Sequence, residues 1–112
     1  MEILTSLEES PVVQRYQVLD FKTFEGGWYY KVKATLEDGS VLHAREYVET
    51  QERNYAFHWQ DEQDQLRVRW DNAPHHDHIS TYPHHKHVGD EVQPSVEISL
   101  GDALEYIEDR IL

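Results

Sequence analysis

Residues 28–48 read WYYKVKATLEDGSVLHAREYV, and the way this stretch folds back on itself decides the sheet. Trp28, Tyr30, Val32, Ala34 and Leu36 alternate with Tyr29, Lys31, Lys33 and Thr35, the period of a strand with one buried face. If Asp38-Gly39 formed a two-residue turn, Ala34 would face His43 and Val32 would face Arg45, mixing apolar and charged sides. A three-residue loop, Glu37-Asp38-Gly39 with Gly39 at positive φ, shifts the pairing by one residue. Ala34 then meets Leu42, Val32 meets Ala44 and Trp28 meets Val48, while Lys33 meets His43 and Lys31 meets Arg45. This second register is expected, with Glu46 opposite Tyr30 as its one awkward pair.

Gly26-Gly27 interrupts the pattern on the N-terminal side. Before it, Val12 to Phe24 is β-like without clean alternation: Val12, Tyr16, Val18, Leu19 and Phe21 do not share a face. The first ten residues predict one or two helical turns, with Ile3, Leu4 and Leu7 on one side and Pro11 ending the run. Downstream, Asn54 to Gln60 and Gln65 to Asp71 flank the acidic loop Asp61 to Asp64. A four-residue loop there pairs Trp59 with Leu66, Phe57 with Val68 and Tyr55 with Trp70, leaving His58 opposite Arg67 and Ala56 opposite Arg69. Ser99 precedes Leu100, Ala103, Leu104, Ile107 and Ile111 at helical spacing, and Asp102 makes a weaker relative of a capping box. The expected fold is α+β: a twisted antiparallel meander of four to six strands, a C-terminal helix on one face and a short N-terminal helix. The other face of the sheet is open.

The chain of 112 residues is expected to form one domain, residues 1–112, with a single modest core. It contains no cysteine, so neither disulfides nor thiolate zinc sites hold it together. No segment approaches a membrane span, and MEILTSLEES is too acidic for a signal peptide, so a cytoplasmic location is expected. The net charge of −12 argues against broad electrostatic attraction to nucleic acid or anionic lipid. An anionic ligand would need a local cationic patch.

The expected registers supply such a patch. Lys31, Lys33, Arg45, Arg67 and Arg69 make up half of the 10 Lys and Arg residues and fall on the predicted open face, with His43 and His58 among them. A solvated sheet face is polar in any case, and Lys and Arg are common there. Here, however, the strand carrying Arg67 and Arg69 runs into WDNAPHHDHISTYPHHKH, residues 70–87, which reads as loop with a short strand at Ile79 to Tyr82. His75, His76, His78, His84, His85 and His87 lie in it, six of the chain's 8 histidines.

Three chemistries fit these histidines. His76/His78 and His85/His87 are spaced i, i+2, so in extended chain each pair points to one side and together they offer four imidazoles to a divalent metal such as zinc or nickel. Alternatively, histidines that titrate near neutral pH divide general base and general acid roles in RNA cleavage through the 2′-hydroxyl. His75 or His76 would then work with His84, His85 or His87, with Arg69 or Lys86 on the phosphate. In the third reading the imidazoles cap strand ends, stack on Tyr82 or Trp70 and satisfy loop backbone.

RWDNAPHH (Arg69 to His76) followed by YPHHKH (Tyr82 to His87) resembles the signature of the TumE family of toxins from bacterial and archaeal toxin–antitoxin pairs. LHAREY (Leu42 to Tyr47), YAFHWQD (Tyr55 to Asp61) and the ending PSVEISL before a terminal helix are similar to other segments of that family. The resemblance runs from about Val12 to the end. It implies a small type II toxin, silenced by a helix-turn-helix antitoxin and acting on RNA. Position by position it carries over Arg45, His58, Arg69, Asp71, Asn72, His75, His76, His84, His85 and His87. The combined expectation is a metal-independent endoribonuclease with His75, His76, His84, His85 and His87 catalytic. Arg45, His58, Arg67, Arg69, Asp71, Asn72 and Lys86 would bind substrate. No cofactor is expected. The alternative is a non-enzymatic module whose His76, His78, His85 and His87 hold a divalent metal. A homo-oligomer is compatible with either.

Overall fold

A computed structural model describes residues 2–112. In chain order it has helix α1 (Glu2–Glu9), strands β1 (Val13–Phe24), β2 (Gly27–Leu36), β3 (Val41–Glu49), β4 (Arg53–Gln60) and β5 (Leu66–Asp71). Strands β6 (His85–Val88) and β7 (Glu91–Pro94) and helix α2 (Leu100–Ile111) complete it. The strands form one 7-stranded antiparallel sheet in sequence order, a pure meander. It exceeds the four to six strands expected because the end of the histidine segment and the residues up to Pro94 form a further hairpin, β6–β7.

The central hairpin has the expected register. Ala34 pairs with Leu42, Val32 with Ala44, Lys33 with His43 and Lys31 with Arg45. Leu36 N–H donates to the Ser40 carbonyl at 2.9 Å and Gly39 sits at φ 86°, so residues 37–39 form the three-residue loop. Glu46, opposite Tyr30, is buried, and Arg53 answers it: the guanidinium lies 3.2 Å from Glu46, 3.0 Å from Glu97 and 2.9 Å from the Ile98 carbonyl.

Two bulges explain the irregular pattern of β1. The register against β2 shifts between Val13 and Arg15 and again between Val18 and Asp20. Each bulge inserts one residue and restores the facing afterwards. Tyr16, Val18 and Phe21 therefore pair with Ala34, Val32 and Tyr30 on one face, and Leu19 is the extra residue.

The β4–β5 hairpin corrects the expected pairing. Trp59 pairs with Val68, Phe57 with Trp70, His58 with Arg69 and Ala56 with Asp71. Asp61 N–H bonds the Gln65 carbonyl at 2.9 Å and Asp64 takes φ 62°, so the loop is one residue shorter than predicted. A bulge at Arg67, between the Gln60–Leu66 and Trp59–Val68 pairs, adds a second step. The two single-residue shifts restore parity beyond the bulge, so Phe57, Trp59, Val68 and Trp70 keep their face, while Leu66 pairs with Gln60 on the other face and Arg67 is the extra residue.

Both helices cover the face that carries Tyr30, Val32, Ala34, Leu42, Ala44, Tyr55, Phe57, Trp59, Val68 and Trp70. Ile3 and Leu7 of α1 and Leu100, Ala103, Leu104 and Ile107 of α2 close that core. Leu4, placed with them by spacing, is instead 36% exposed. The Ser99 hydroxyl accepts from Asp102 N–H and the Asp102 carboxylate accepts from Ser99 N–H, a reciprocal capping box that fixes where α2 begins. No helix among the described residues is long and apolar enough to cross a membrane.

Candidate functional site

Residues 79–82 form turns, not the expected short strand. After the cis Tyr82–Pro83 peptide the chain enters β6, which pairs His85 with Asp71 and His87 with Arg69. Through His58–Arg69, His43–His58 and Lys31–Arg45 the same side of the sheet continues across β4, β3 and β2. One face thus carries Lys31, His43, Arg45, His58, Arg69, Asp71, His85 and His87, and it is the face opposite the helices.

Asp71 is the hub. Its carboxylate lies 2.9 Å from His85 Nε2, 3.1 Å from Arg69 Nε and 3.6 Å from His87 Nε2, and it accepts the Ala73 N–H at 3.0 Å. Asp71 and His85 are both buried, although they stand on the face away from the helices. Segment 72–84 covers them. His76, from that segment, brings its ring centroid within 4.8 Å of His85 and 5.6 Å of His87.

Hydrogen-bond accounting fixes part of the chemistry. His85 Nδ1 lies 2.9 Å from the Pro83 carbonyl, which can only accept, so Nδ1 carries a proton. Its Nε2 faces the Asp71 carboxylate at 2.9 Å. Both nitrogens of His85 are occupied, as in a positioned imidazole. His58 Nδ1 lies 3.3 Å from Arg69 Nη1, and a guanidinium can only donate, so that nitrogen accepts.

Burial lowers the pKa of His58, helped by the positive charge of Arg69 and by His43. Burial also lowers His43, with Lys33 and Lys31 adding to the effect. His87 is lowered chiefly by burial; the Asp71 carboxylate opposes this, and His85, His76 and Arg69 reinforce it. These three imidazoles therefore favour the neutral form, able to accept a proton. A depression of about 310 Å³ lined by Lys31, His43, Ala44, Arg45, Ala56, His58 and Arg69 adjoins them. Arg69 belongs to both parts, lining the depression and bonding Asp71.

The structure divides the histidines the sequence grouped. His76, His85 and His87 converge. His75 is exposed, and exposed His78 stands at the rim, its ring 6.0 Å from that of His76. His84 points the other way: Nδ1 lies 2.9 Å from the Tyr55 hydroxyl on the helix side, and the two rings stack. Lys86 pairs with Trp70 and so belongs to the helix side as well. Asn72 ties the covering segment to β4, donating to the Arg53 carbonyl at 2.6 Å and accepting from Tyr55 N–H at 3.0 Å. Arg67, turned by its bulge, lies over the Trp59 ring at 4.9 Å and pairs with Asp38 at 2.8 Å. Lys31 and His43 line the depression although the candidate site drawn from sequence left them out; their place on the cationic face was the available signal.

The ring nitrogens of His76, His85 and His87 that could ligate an ion all lie within 4.8 Å of one another. Zinc, with Zn–N bonds of about 2.0–2.1 Å, would draw them closer, and Asp71 could add an oxygen. His78 is outside this group, so the four-histidine set expected from spacing reduces to three.

The family model described as Toxin TumE matches residues 3–111. The chain belongs to the TumE toxin family. As such it is the toxin component of a toxin–antitoxin system, and an antitoxin partner is implied in general terms. No curated protein and no solved structure matches it. The match covers the whole sheet and both helices, so the Asp71 hub and the cationic depression lie inside the TumE domain.

Proposed function

We propose that this TumE toxin cleaves RNA through the 2′-hydroxyl, without a metal, on the open face of its sheet. One observation carries the reading: Arg69 joins a cationic depression, sized for a nucleotide's phosphate and sugar, to a buried carboxylate that holds two imidazoles, His85 and His87, with His76 beside them. Arg45 and Arg69 would hold the phosphate, and Lys31 would extend the positive rim. His87, kept neutral by burial, takes the 2′-hydroxyl proton; the freed oxygen attacks phosphorus. His76, as the general acid, gives a proton to the departing 5′-oxygen. The products are a 2′,3′-cyclic phosphate and a 5′-hydroxyl. Asp71 and His85 position the others, since both His85 nitrogens are engaged.

The net charge of −12 opposes binding of long RNA everywhere except this face, so affinity falls steeply with salt. In this reading the toxin works in the cytoplasm and is of type II, held by a helix-turn-helix antitoxin. Purified protein incubated with total RNA in EDTA tests the catalytic part. Cleavage is expected from the wild type and from His75→Ala, and its loss from His76→Ala and His87→Ala. Equal cleavage by all four, or none by the wild type, would overturn it.

A second reading has its own observation, the approach of three imidazole nitrogens. If the cluster holds zinc or nickel, untagged protein carries the metal stoichiometrically and His85→Ala releases it. Metal-free wild type that still cleaves RNA would exclude this alternative.

A further inference from the structure

A cavity of about 610 Å³ lies on the opposite side of the sheet, where α1, α2 and the chain before α2 meet over β2 and β3. Trp28, Tyr30 and Leu100 give it apolar walls, and Glu46, Arg53 and Glu97 its polar side. None of these takes part in the open-face site. The volume is that of a ligand pocket.

Its chemistry selects a cation. The Arg53 guanidinium is already committed to Glu46, Glu97 and the Ile98 carbonyl, and it lies 4.1 Å over the Tyr55 ring. It has little left to offer an anion. Two carboxylates against one guanidinium leave a surplus negative charge. Tyr30 is buried, and its hydroxyl, set against Glu46 across the strand pair, closes no full hydrogen bond among the described residues. Such a group is rare and costly unless something else satisfies it. Burial and the nearby Glu46 raise the Tyr30 pKa, so it stays a neutral phenol whose oxygen can accept from an ammonium or guanidinium N–H. The Trp28 and Tyr30 rings stack at 5.7 Å and offer an aromatic wall to the same cation.

The surroundings indicate where the cation comes from. Ser6 and Gly101 also line a second groove between α1 and α2, whose other lining includes Glu9, Glu105, Glu108 and Asp109. The apolar-walled cavity therefore opens into an acidic trench. We propose that the cavity receives a lysine or arginine side chain from a partner polypeptide, whose flanking apolar and basic residues track the trench. Because the family implies an antitoxin, that protein is the natural source of such a segment. The open face would then remain uncovered by this contact. Docking at the cavity does not depend on RNA cleavage and stands or falls separately from it.

The test titrates the ¹⁵N-labelled full chain with the peptide acetyl-Leu-Arg-Leu-amide, its Gln counterpart acetyl-Leu-Gln-Leu-amide, and spermidine. The arginine peptide should give saturable shifts at Trp28, Tyr30 and Gly101. Affinity should fall roughly tenfold or more in Tyr30→Phe and Glu97→Gln and remain unchanged in Arg69→Ala. Tyr30→Phe removes a hydroxyl that closes no full hydrogen bond, so its melting temperature should stay near the wild type's, which separates lost binding from lost folding. Equal binding of the glutamine peptide, insensitivity to Tyr30→Phe, or no saturable shift would overturn the proposal. Spermidine binding more tightly than the peptide would reassign the cavity to a small polyamine and overturn the polypeptide source.

Discussion

Asp71 holds Arg69, His85 and His87 at once, and its own oxygens receive the Ala73 N–H that starts the covering segment. Asp71→Asn should therefore lose about 1–3 kcal/mol of stability in urea unfolding, the cost of leaving buried partners unsatisfied. It should also abolish RNA cleavage, whereas a variant that keeps full cleavage would remove Asp71 from the catalytic site. Ser40 gives a control away from the site. It is fully buried and accepts the Trp59 indole N–H at 2.9 Å, so Ser40→Ala should cost about 1–3 kcal/mol without changing cleavage. Residue types at the site were legible from sequence, because imidazoles, a carboxylate and guanidiniums announce their chemistry. Which residues meet was not. His84 and His85 are neighbours, yet one bonds Tyr55 on the helix side and the other Asp71 on the open side. That choice depends on where β6 starts, and a Pro-rich loop carries no periodicity from which to read it.

At the level of elements, the central hairpin was readable because a register slip there would have put charge into the core. Its loop rests on Gly39 at φ 86°, and a Cβ at that position would also come within 2.8 Å of the Glu62 side chain. Gly39→Ala should cost about 1–2 kcal/mol from the left-handed backbone alone, read as a lower urea midpoint with unchanged slope. The β4–β5 hairpin shows the limit of the same reasoning. Parity sorted its faces correctly from Val68 onward, where a loop shorter by one residue and a bulge at Arg67 together moved each partner by two, but not beside the loop, where Gln60's partner moved by one. Hydrophobic alternation is blind to even shifts, so only the two residues beside the loop were misplaced: Leu66 pairs with Gln60 instead of Trp59, and Arg67 stacks on Trp59 instead of facing solvent with Arg69. The helix α2 was legible throughout, since periodicity and the Ser99–Asp102 box agree on its start.

Across the whole molecule, charge is sorted by side. The open face gathers Lys31, Arg45 and Arg69 around its depression, while the groove between α1 and α2 is acidic, in a chain of net charge −12. This division was foreseeable for the open face from the strand registers, and unforeseeable for the groove, which needs the packing of two helices distant in sequence. Protonation obeys the same geometry. His43, His58 and His87 have folded-state pKa values below the ordinary 6.5, so the unfolded chain binds more of their protons. Their contribution to stability is complete above pH 6.5 and declines as pH falls from there through the lowered folded values. Falling pH also relieves self-repulsion among the carboxylates, so the histidine contribution is read as a difference. The melting temperature of the wild type minus that of His58→Gln should shrink between about pH 7.5 and lower pH; a difference independent of pH would contradict the burial of His58. Attack by a substrate 2′-hydroxyl is the step that unites both ends of the open face, and one cleavage assay addresses it directly. An oligoribonucleotide cut by the toxin in EDTA is compared with the same oligonucleotide carrying a single 2′-deoxy residue at the cut. A 2′,3′-cyclic phosphate product is expected from the first, and no cleavage at the substituted bond in the second. Failure to cut the all-ribose strand, or equal cutting of both, would contradict that step.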